Sequence, residues 1–411
     1  MYDSLASHLA VNNWPFSLEW LPQPAYMVGG AVRDAILGRS REYWDLDFII
    51  PSGAVKIARA IAKHYQAGFV LLDAERQIAR VVFPQATADF AQQEGDSLIT
   101  DLHRRDFTIN AIAYNPHTQE IIDPLQGCAD IKSGLLRMIS CKNLQDDPLR
   151  LMRAYRQAAQ LGFIIEPTTQ TVIRALSADI TQVAAERVRV EIGYLLANSQ
   201  GTPWLKAAWE DGLLTKIFPN VTAESLQKVA AIDQAYIILS QNWQQLGQEL
   251  SEYIRDTTKT TWLGIAKLAC LVNPNPEIAE IQLQELTYSR VENKAVTTAM
   301  RLFPQCQKTD MSIREQYFFF REAGNVFRAI ALLALINDIL IEEIAPMINR
   351  YLTPDNLVAH PTPLLTGKEI IAALEIPASP EIGRLLTEIA VAQAEGKIST
   401  AAEAIELAKQ L

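Results

Sequence analysis

Two neighbouring stretches decide the fold: YMVGGAVRD (residues 26–34) and WDLDFII (residues 44–50). The first predicts a short strand that turns at two glycines into a helix. The second predicts a strand whose side chains alternate between faces. Asp45 and Asp47 then share one face, while Leu46 and Phe48 point to the core.

Two carboxylates on one strand face repel each other unless a cation neutralises them. Their spacing along a strand is about 6–7 Å, and Mg²⁺ binds through carboxylate oxygens together with substrate phosphates. Asp45 and Asp47 therefore predict a magnesium site. The same pattern also occurs in sugar-nucleotide glycosyltransferases and on solvated strands, so the pair alone leaves these alternatives open.

The glycine turn before the acidic strand suits a phosphate. Gly29 and Gly30 allow the backbone to approach a ligand closely, and the following helix start offers free N–H groups. Arg33, one turn into this helix, adds a charged donor. The segment has neither the GxxxxGK[ST] nor the GxGxxG pattern, which excludes the usual P-loop and Rossmann interpretations.

Strand-like runs alternate with helix-like ones up to about residue 140, and helical periodicity dominates beyond about residue 145. The chain is therefore predicted to be α+β, with a mixed N-terminal part and an all-α remainder. Besides Tyr26–Val28 and Asp45–Ile50, we predict three further strands: Gly68–Asp73, Ala79–Phe83 and Ala111–Tyr114. Residues 329–341 predict a buried helix that is too short to cross a membrane.

Two arginine-rich segments follow. In HRRDFTINA (residues 103–111), Arg105 suits triphosphate oxygens, whereas Asp106 and Asn110 suit ribose hydroxyls. A salt-bridged surface turn is the simpler interpretation of this segment alone.

The second arginine-rich segment, DDPLRLMRAYRQAAQLG (residues 146–162), predicts a helix with an aspartate at its N-cap, Pro148 at its first position and Gly162 at its end. Arg150, Arg153 and Arg156 form one stripe on it. Asp147 and Arg150 together offer the acceptor and donors that read the Watson–Crick edge of a base.

Composition excludes several classes of protein. The 411 residues carry a formal net charge of −10, so the chain is not a globally basic nucleic-acid coat protein. Its four cysteines form no CxxC pair and its five histidines show no zinc spacing. We expect reduced thiols, a cytoplasmic location and no membrane association.

Taken together, GGAVRD, DLD, RRDFTINA, DDPLRLMRAYR and ERVRVE (residues 186–191) resemble the class II tRNA nucleotidyltransferase and bacterial poly(A) polymerase family in order and spacing. The resemblance implies a head with a palm related to DNA polymerase beta, followed by a helical neck, body and tail. We expect the boundaries 1–143, 144–203, 204–350 and 351–411, with the tail binding tRNA.

The resemblance also implies roles for the residues singled out above. Asp45 and Asp47 would hold two Mg²⁺ ions. The residues implied to bind the nucleotide are Gly29, Gly30, Arg33, Arg105, Asp106, Asn110, Asp147, Arg150, Arg153 and Arg156. The family usually has glutamate where this chain has Asp146, and the two residues share their charge.

Relatives that add the whole CCA sequence usually carry a longer flexible segment before RRD. Here residues 84–98 are compact, which is similar to relatives that add only two cytidines and leave the adenosine to a separate enzyme. We therefore expect CC addition to the tRNA 3′ end from CTP. The alternatives are complete CCA addition with CTP and ATP, or an A-adding enzyme or poly(A) polymerase.

Three points stay open at this stage. Asp89 is either a third palm carboxylate or, as we slightly prefer, a surface acid at a strand end. A basic track for tRNA is expected on the helical part, at Lys206, Lys216, Lys368, Arg384 and Lys397. Outside the family, the rivals are a glycosyltransferase and a catalytically silent RNA-binding protein, and the intact aspartate pair argues against the second.

Overall fold

The computed structural model describes residue 9 and residues 11–39, 43–308 and 310–411. The chain divides into two compact units. The first comprises residues 1–183 and 207–216, and the second comprises residues 184–206 and 217–411. The first unit is mixed α and β and the second is almost entirely helical, which confirms the predicted α+β class.

A seven-stranded mixed sheet organises the first unit, with the strands in the order β3-β4-β5-β2-β1-β6-β7. Every pairing in it is antiparallel except that of β2 with β5, which is parallel. The strands are β1 (Tyr26–Val28), β2 (Trp44–Ile50), β3 (Gly68–Asp73), β4 (Ile78–Phe83), β5 (Ala86–Gln92), β6 (Ala113–Asn115) and β7 (Glu120–Ile122).

One face of this sheet is a closed aromatic core. Leu46 and Phe48 of β2 are fully buried there, as the alternation predicts. Phe48 stacks on Phe90 of β5 with ring centroids 5.4 Å apart, and Phe16 and Trp14 pack edge-on against Phe48. Burial of these large rings fixes which face of β2 points inward, and so directs the aspartates to the opposite face.

The helices of the first unit cover the sheet and extend beyond it. Their bounds are Gly30–Ile36, Ala54–His64, Leu98–Leu102, Gly127–Ser133, Cys141–Asp146, Leu149–Leu161 and Pro167–Ala175. A two-stranded parallel pair, Leu135–Leu136 with Ile164–Ile165, joins the last of these helices to the rest of the unit. The helices Thr202–Glu210 and Leu214–Ile217 each contribute residues to both units.

Four of the five predicted strands are present with bounds equal to the prediction or one residue longer, and the fifth is shifted to Ala113–Asn115. Strand β5 (Ala86–Gln92), which occupies much of the compact stretch 84–98, is not among the predicted strands. Apolar Ala86, Ala88 and Phe90 face the core and alternate with Thr87 and Asp89, which is ordinary strand periodicity.

The helix Leu149–Leu161 begins later than predicted. Asp146 ends the preceding helix, Asp147 is extended, and Pro148 is the cap residue without a side-chain capping bond. The predicted aspartate N-cap is therefore wrong, because a second helix occupies the sequence before it. The predicted end is confirmed: Gly162 has φ 72°, a left-handed conformation that glycine adopts without strain.

The second unit is a helical array around an apolar core. Its longer helices are Ala185–Leu196, Ala223–Asn242, Gln244–Ser251, Trp262–Leu271, Pro276–Glu285, Arg290–Leu302, Ile313–Ala323, Phe327–Leu335, Ile341–Leu352, Gly367–Leu374, Pro380–Ala394 and Ala401–Gln410. The predicted buried helix in residues 329–341 is confirmed in part, since Phe327–Leu335 is buried and ends before Ile341. Within the described residues, none of the helices has the length and apolarity needed to cross a bilayer.

The four-part division at 143, 203 and 350 stays a prediction. So does the basic track: Arg384 pairs with Glu381 and Lys397 with Glu395 on the protein surface, which is the usual state of exposed charges.

Candidate functional site

The two aspartates of β2 lie side by side on the face of the sheet that is not covered by the aromatic core. Asp45 is exposed and Asp47 is half-buried. Thr87 of the neighbouring strand donates a hydrogen bond to Oδ1 of Asp45 at 2.7 Å. This bond leaves the other oxygen of Asp45 available and fixes the orientation of the carboxylate.

The environment of Asp47 disfavours its negative charge. Burial and, to a smaller extent, the nearby carboxylates Asp45 and Asp89 together raise the pKa of Asp47 to about 7, against the opposing effect of Arg105 and Arg80. A carboxylate in such a position is stabilised in its charged form by a cation. The donor set, paired aspartate oxygens on a rigid strand, fits a hard divalent ion.

Among the residues that the structure describes, no cluster of three or more histidine, cysteine, aspartate or glutamate side chains could hold a metal ion. Asp45 and Asp47 are thus a two-carboxylate site. Such a site is the usual protein contribution to Mg²⁺ binding when the remaining ligands are water and substrate phosphates.

Beside the carboxylates, Gly29 forms a cradle that a side chain would fill. Its φ of 74° and ψ of −140° form a backbone conformation that is essentially restricted to glycine. A Cβ at this position would lie 3.1 Å from Oδ2 of Asp47 and 3.7 Å from Nη1 of Arg105. The Nε atom of Arg105 is buried and has no hydrogen-bond partner in the structure. A positive group with an unused donor therefore borders the space next to Asp47, as a phosphate site requires.

Arg33, on the helix after the glycine turn, is held in a network. Its Nη1 donates to Oδ1 of Asn110 at 2.8 Å, and its Nε donates to Asp34. Asn110 in turn donates to Oδ1 of Asp106 at 2.9 Å and to Gln157. The network joins the glycine turn, the RRD segment and the helix Leu149–Leu161, three parts that are distant in sequence.

Asp106 is the centre of this network and is almost fully buried. Burial alone would raise its pKa, but the Arg153 guanidinium and hydrogen bonds from Asn110, Arg153 and the Phe107 N–H hold the pKa well below its usual range. Nε and Nη2 of Arg153 lie 2.9 and 2.8 Å from Oδ2. Both carboxylate oxygens have protein partners, and the predicted contacts of Asp106 and Asn110 with ribose stay predictions.

Arg150 is half-buried one turn earlier on the same helix. Its Nη1 donates to the carbonyl oxygens of Arg104, at 2.8 Å, and Asn143, at 2.9 Å. Burial lowers its pKa from the ordinary value for arginine. Asp147 lies in the extended turn directly before, and its carbonyl accepts from the Arg150 N–H at 3.0 Å. The backbones of the predicted base-reading pair are thus bonded to each other, whereas the Arg156 side chain bonds to Gln160 further along the helix.

Sequence reasoning named Asp89 as a candidate but missed strand β5, which carries it, and Arg80 of β4. Asp89 is directly opposite Asp47 in the parallel pairing of β5 with β2 and is not at a strand end, so the preferred interpretation of its position is wrong. Arg80 of β4 binds both of its oxygens, at 2.7 and 2.8 Å. The alternation in residues 86–90 could have revealed β5, but nothing in the sequence points to Arg80 as its partner.

Residues 93–97 connect β5 to the helix Leu98–Leu102, which precedes the RRD segment, and polar contacts hold this connection in place. The Glu94 N–H donates to Oδ2 of Asp101 at 2.8 Å, and the Glu94 carboxylate lies 2.7 Å from Nη2 of Arg104. Since the Arg104 carbonyl accepts from Arg150, this short connection is linked through a single residue to the pair predicted to read the base.

Family models match most of the chain. The poly(A) polymerase head domain matches residues 25–137, a model described as the RNA- and SrmB-binding site of polymerase A matches residues 162–225, and tRNA nucleotidyltransferase domain 2 matches residues 256–408.

Curated relatives cover more than nine-tenths of the chain. A CC-adding tRNA nucleotidyltransferase of Synechocystis sp. is 48% identical over 98% of both chains. A CC-adding tRNA nucleotidyltransferase of Geobacter sulfurreducens is 30% identical over 92% of this chain and 90% of its own. An A-adding tRNA nucleotidyltransferase of Deinococcus radiodurans is 29% identical over 93% and 94%.

Solved structures share the fold. A CCA-adding enzyme in complex with CTP superposes with a TM-score of 0.69 at 20% identity, covering 93% of this chain and 90% of its own. The Thermotoga maritima CCA-adding enzyme in complex with tRNA-CCA gives 0.67 at 20% identity, covering 94% and 91%.

Proposed function

Because the chain belongs to the tRNA nucleotidyltransferase and poly(A) polymerase family, we propose that it adds cytidines from CTP to the 3′ end of tRNA without a nucleic-acid template. The 3′-hydroxyl oxygen of the tRNA forms a bond with the α-phosphorus of CTP. The bond from that phosphorus to the pyrophosphate oxygen breaks, and the hydroxyl proton is lost. The reaction is one step of CCA-end synthesis and repair.

The observation that carries this proposal is the Asp45 and Asp47 pair beside the Gly29 cradle and the unpartnered Arg105 donor. Enzymes of this family generally use divalent metals, and we propose Mg²⁺ here. When bound, Mg²⁺ lowers the pKa of the attacking hydroxyl and stabilises the leaving pyrophosphate. Asp45, oriented by Thr87, and Asp47 on a rigid strand supply the protein oxygens that hold it.

The remaining residues are proposed to bind CTP. Gly29, Gly30 and Arg105 accommodate the triphosphate, and Arg33 does so from the helix start. The hydrogen-bond network through Asp106 and Arg153 fixes the position of Arg33, which preorganises the site before substrate binds. Asn110 is proposed to lie at the ribose.

Asp147 and Arg150 are proposed to read the cytosine edge, so that protein replaces a template strand. Both offer directional hydrogen bonds of the kind that distinguish bases. Arg156 is proposed to lie on the nucleotide side of the same helix. The tied connection at Glu94 and Arg104 supports restriction to CTP, because a reorientation of Arg150 toward ATP would have to move the segment to which it is bonded.

Complete CCA addition is the second candidate function. Addition of the terminal adenosine is the third, because one relative is an A-adding enzyme. The full-length identity of 48% to a CC-adding enzyme favours the first. We propose that a separate A-adding enzyme completes the end, and that both act in the cytoplasm.

One assay distinguishes these functions. The protein is incubated with Mg²⁺ and tRNAs that end before CCA, after one C or after CC, with CTP and ATP supplied separately and together. We expect cytidine on the first two tRNAs and nothing on the third. Adenosine on the CC-ended tRNA would overturn CC-only addition, and the absence of any incorporation would overturn nucleotidyl transfer.

A further inference from the structure

The register of the sheet places a further set of side chains on the face that carries the carboxylates. Across the strands, Asp47 is opposite Asp89, Asp89 is opposite Arg80, and Arg80 is opposite Val70 of the edge strand β3. Directly opposed residues in paired strands point to the same face. All of these side chains therefore share the face of Asp47.

A second row runs parallel to the first. Asp45 is opposite Thr87, and Thr87 is opposite Val82 of β4. Val82 is therefore on the carboxylate face too, two strands from Asp45. With strands about 4.8 Å apart, Arg80 and Val82 lie about 10 Å from the aspartates and Val70 about 14 Å.

This face is covered on one side of the carboxylates and open on the other. Toward β1 and β6, Leu98 and Leu102 pack over Val28, Ile49 and Ala113 in a buried cluster. Toward β3, the described part of the chain places no comparable cluster over it. Val70 is 45% exposed, Val82 is 39% exposed and the Arg80 side chain is 39% exposed. We call Val70, Arg80 and Val82 the open shelf.

The two substrates of the proposed reaction must meet at Asp45 and Asp47 from different directions. Gly29 follows β1, and Arg105 follows the helix that covers the β1 side. If the triphosphate lies on the β1 side, the RNA strand that carries the attacking hydroxyl approaches the aspartates from the side of β5, β4 and β3.

We infer that the open shelf binds the 3′-terminal nucleotides of the RNA substrate. This inference rests on the proposed function and identifies the surface that binds the RNA. Nε and Nη2 of Arg80 are engaged by Asp89, which leaves Nη1 to donate to a backbone phosphate. Val70 and Val82 offer apolar contact to sugar and base. The shelf residues lie about 10–14 Å from the aspartates, about the axial rise of three or four stacked nucleotides.

The chain provides a matched control on the same strand. Leu71 is 44% exposed, almost the same as Val70, but it is opposite Ala79, a fully buried residue of the core-facing set. A charge introduced at residue 71 alters the net charge and the edge strand as much as a charge at residue 70 does. It lies, however, on the opposite face of the sheet from the open shelf.

The test measures steady-state kinetics of CTP incorporation by the full-length Val70→Glu, Val70→Lys and Leu71→Glu variants. We expect Val70→Glu to raise the KM for tRNA on the order of fivefold and Val70→Lys to lower it, because the RNA backbone is negative. The KM for CTP and the kcat at saturating tRNA stay unchanged. Leu71→Glu should match the wild type in all three constants.

Equal KM values for tRNA in Val70→Glu and the wild type would overturn the inference, as would equal increases in Val70→Glu and Leu71→Glu. Sedimentation provides the other check. A wild-type dimer that Val70→Glu dissociates would make this edge an interface between copies of the chain and would overturn RNA binding there. Incorporation of cytidine by the wild type is a separate readout, and its failure would concern the proposed function rather than the shelf.

Discussion

Gly29 lies against the carboxylate of Asp47, at a distance where a Cβ would be 3.1 Å from Oδ2. The position also has a φ of 74°, so a side chain there meets both a steric and a conformational obstacle. The glycine turn and the acidic strand are therefore in direct contact at these two residues, which the spacing of the motifs in the sequence does not reveal.

Gly29→Ala should reduce CTP incorporation by about 100-fold or more, since an ångström-scale displacement at a reacting centre has effects of this size. Gly38→Ala is the matched control: Gly38 has a similar φ of 68° but no atom within 4 Å of a built Cβ. We expect both variants to unfold about 1–2 kcal/mol more easily, with activity lost only in the first. Similar activity in both would contradict the role of the cradle.

Asp45→Ala should abolish incorporation while leaving the fold intact, because Asp45 is exposed and its removal leaves only the Thr87 hydroxyl without a partner. Incorporation is followed with radiolabelled CTP and folding by thermal unfolding. Retention of more than a few per cent of the wild-type rate would be incompatible with a metal-holding role.

The pH dependence of metal-free stability should reveal Asp47. Its folded pKa of about 7 exceeds the unfolded value, so the folded state holds a proton that the unfolded state releases between about pH 4 and 7. The contribution of Asp47 to stability therefore falls as pH rises through this window.

At pH 8 in EDTA, Asp47→Asn should accordingly raise the free energy of unfolding by about 2 kcal/mol, after allowance for solvent screening. Added Mg²⁺ should stabilise the wild type but not the variant. Chemical denaturation at pH 5 and pH 8 measures both effects, and an identical loss of stability in wild type and variant between these pH values would refute the assignment.

Arg150→Ala should weaken the preference for CTP over UTP by about 10- to 100-fold, the usual value of a specific base contact. Its effect on the KM for CTP should be smaller. Arg150→Lys keeps the charge and can still donate to the Arg104 carbonyl, so it separates base reading from support of that segment. Unaltered selectivity in Arg150→Ala would show that another residue reads the base.

Asp89→Asn should keep activity within about tenfold of the wild type, since both oxygens of Asp89 are engaged by Arg80 and removing an ion-pair partner at a partly exposed site has modest effects. Kinetics at saturating Mg²⁺ provide the measurement. A loss as complete as that in Asp45→Ala would instead make Asp89 a third metal ligand.

Local patterns predicted β1 and β2 because apolar alternation and the glycine turn are contained within a few residues. The same alternation is present at residues 86–92, but it was not used to predict a strand there. The N-cap of the helix Leu149–Leu161 was misplaced because the preceding helix ends at Asp146.

The candidate site residues were chosen from the sequence by residue type, whereas their hydrogen-bond partners were not predicted. The hydrogen bond from Arg33 to Asn110 joins residues 77 apart, and that from Arg153 to Asp106 joins residues 47 apart. Such partners are set by tertiary packing, which no periodicity encodes. For the same reason, the spacing of Asp147 and Arg150 predicted their proximity but not the carbonyl groups that hold Arg150.

The single parallel pairing in the sheet has a consequence for assembly of the protein. β2 and β5 come together only after the intervening helix and the β3–β4 hairpin have closed a long loop, and the entropy of that closure is paid before the pairing is gained. Asp47 and Asp89 are therefore brought opposite each other only when β5 pairs with β2. A nascent chain that ends before residue 92 has no completed palm face, so we expect the first cation-binding competence to appear only once that strand has left the ribosome.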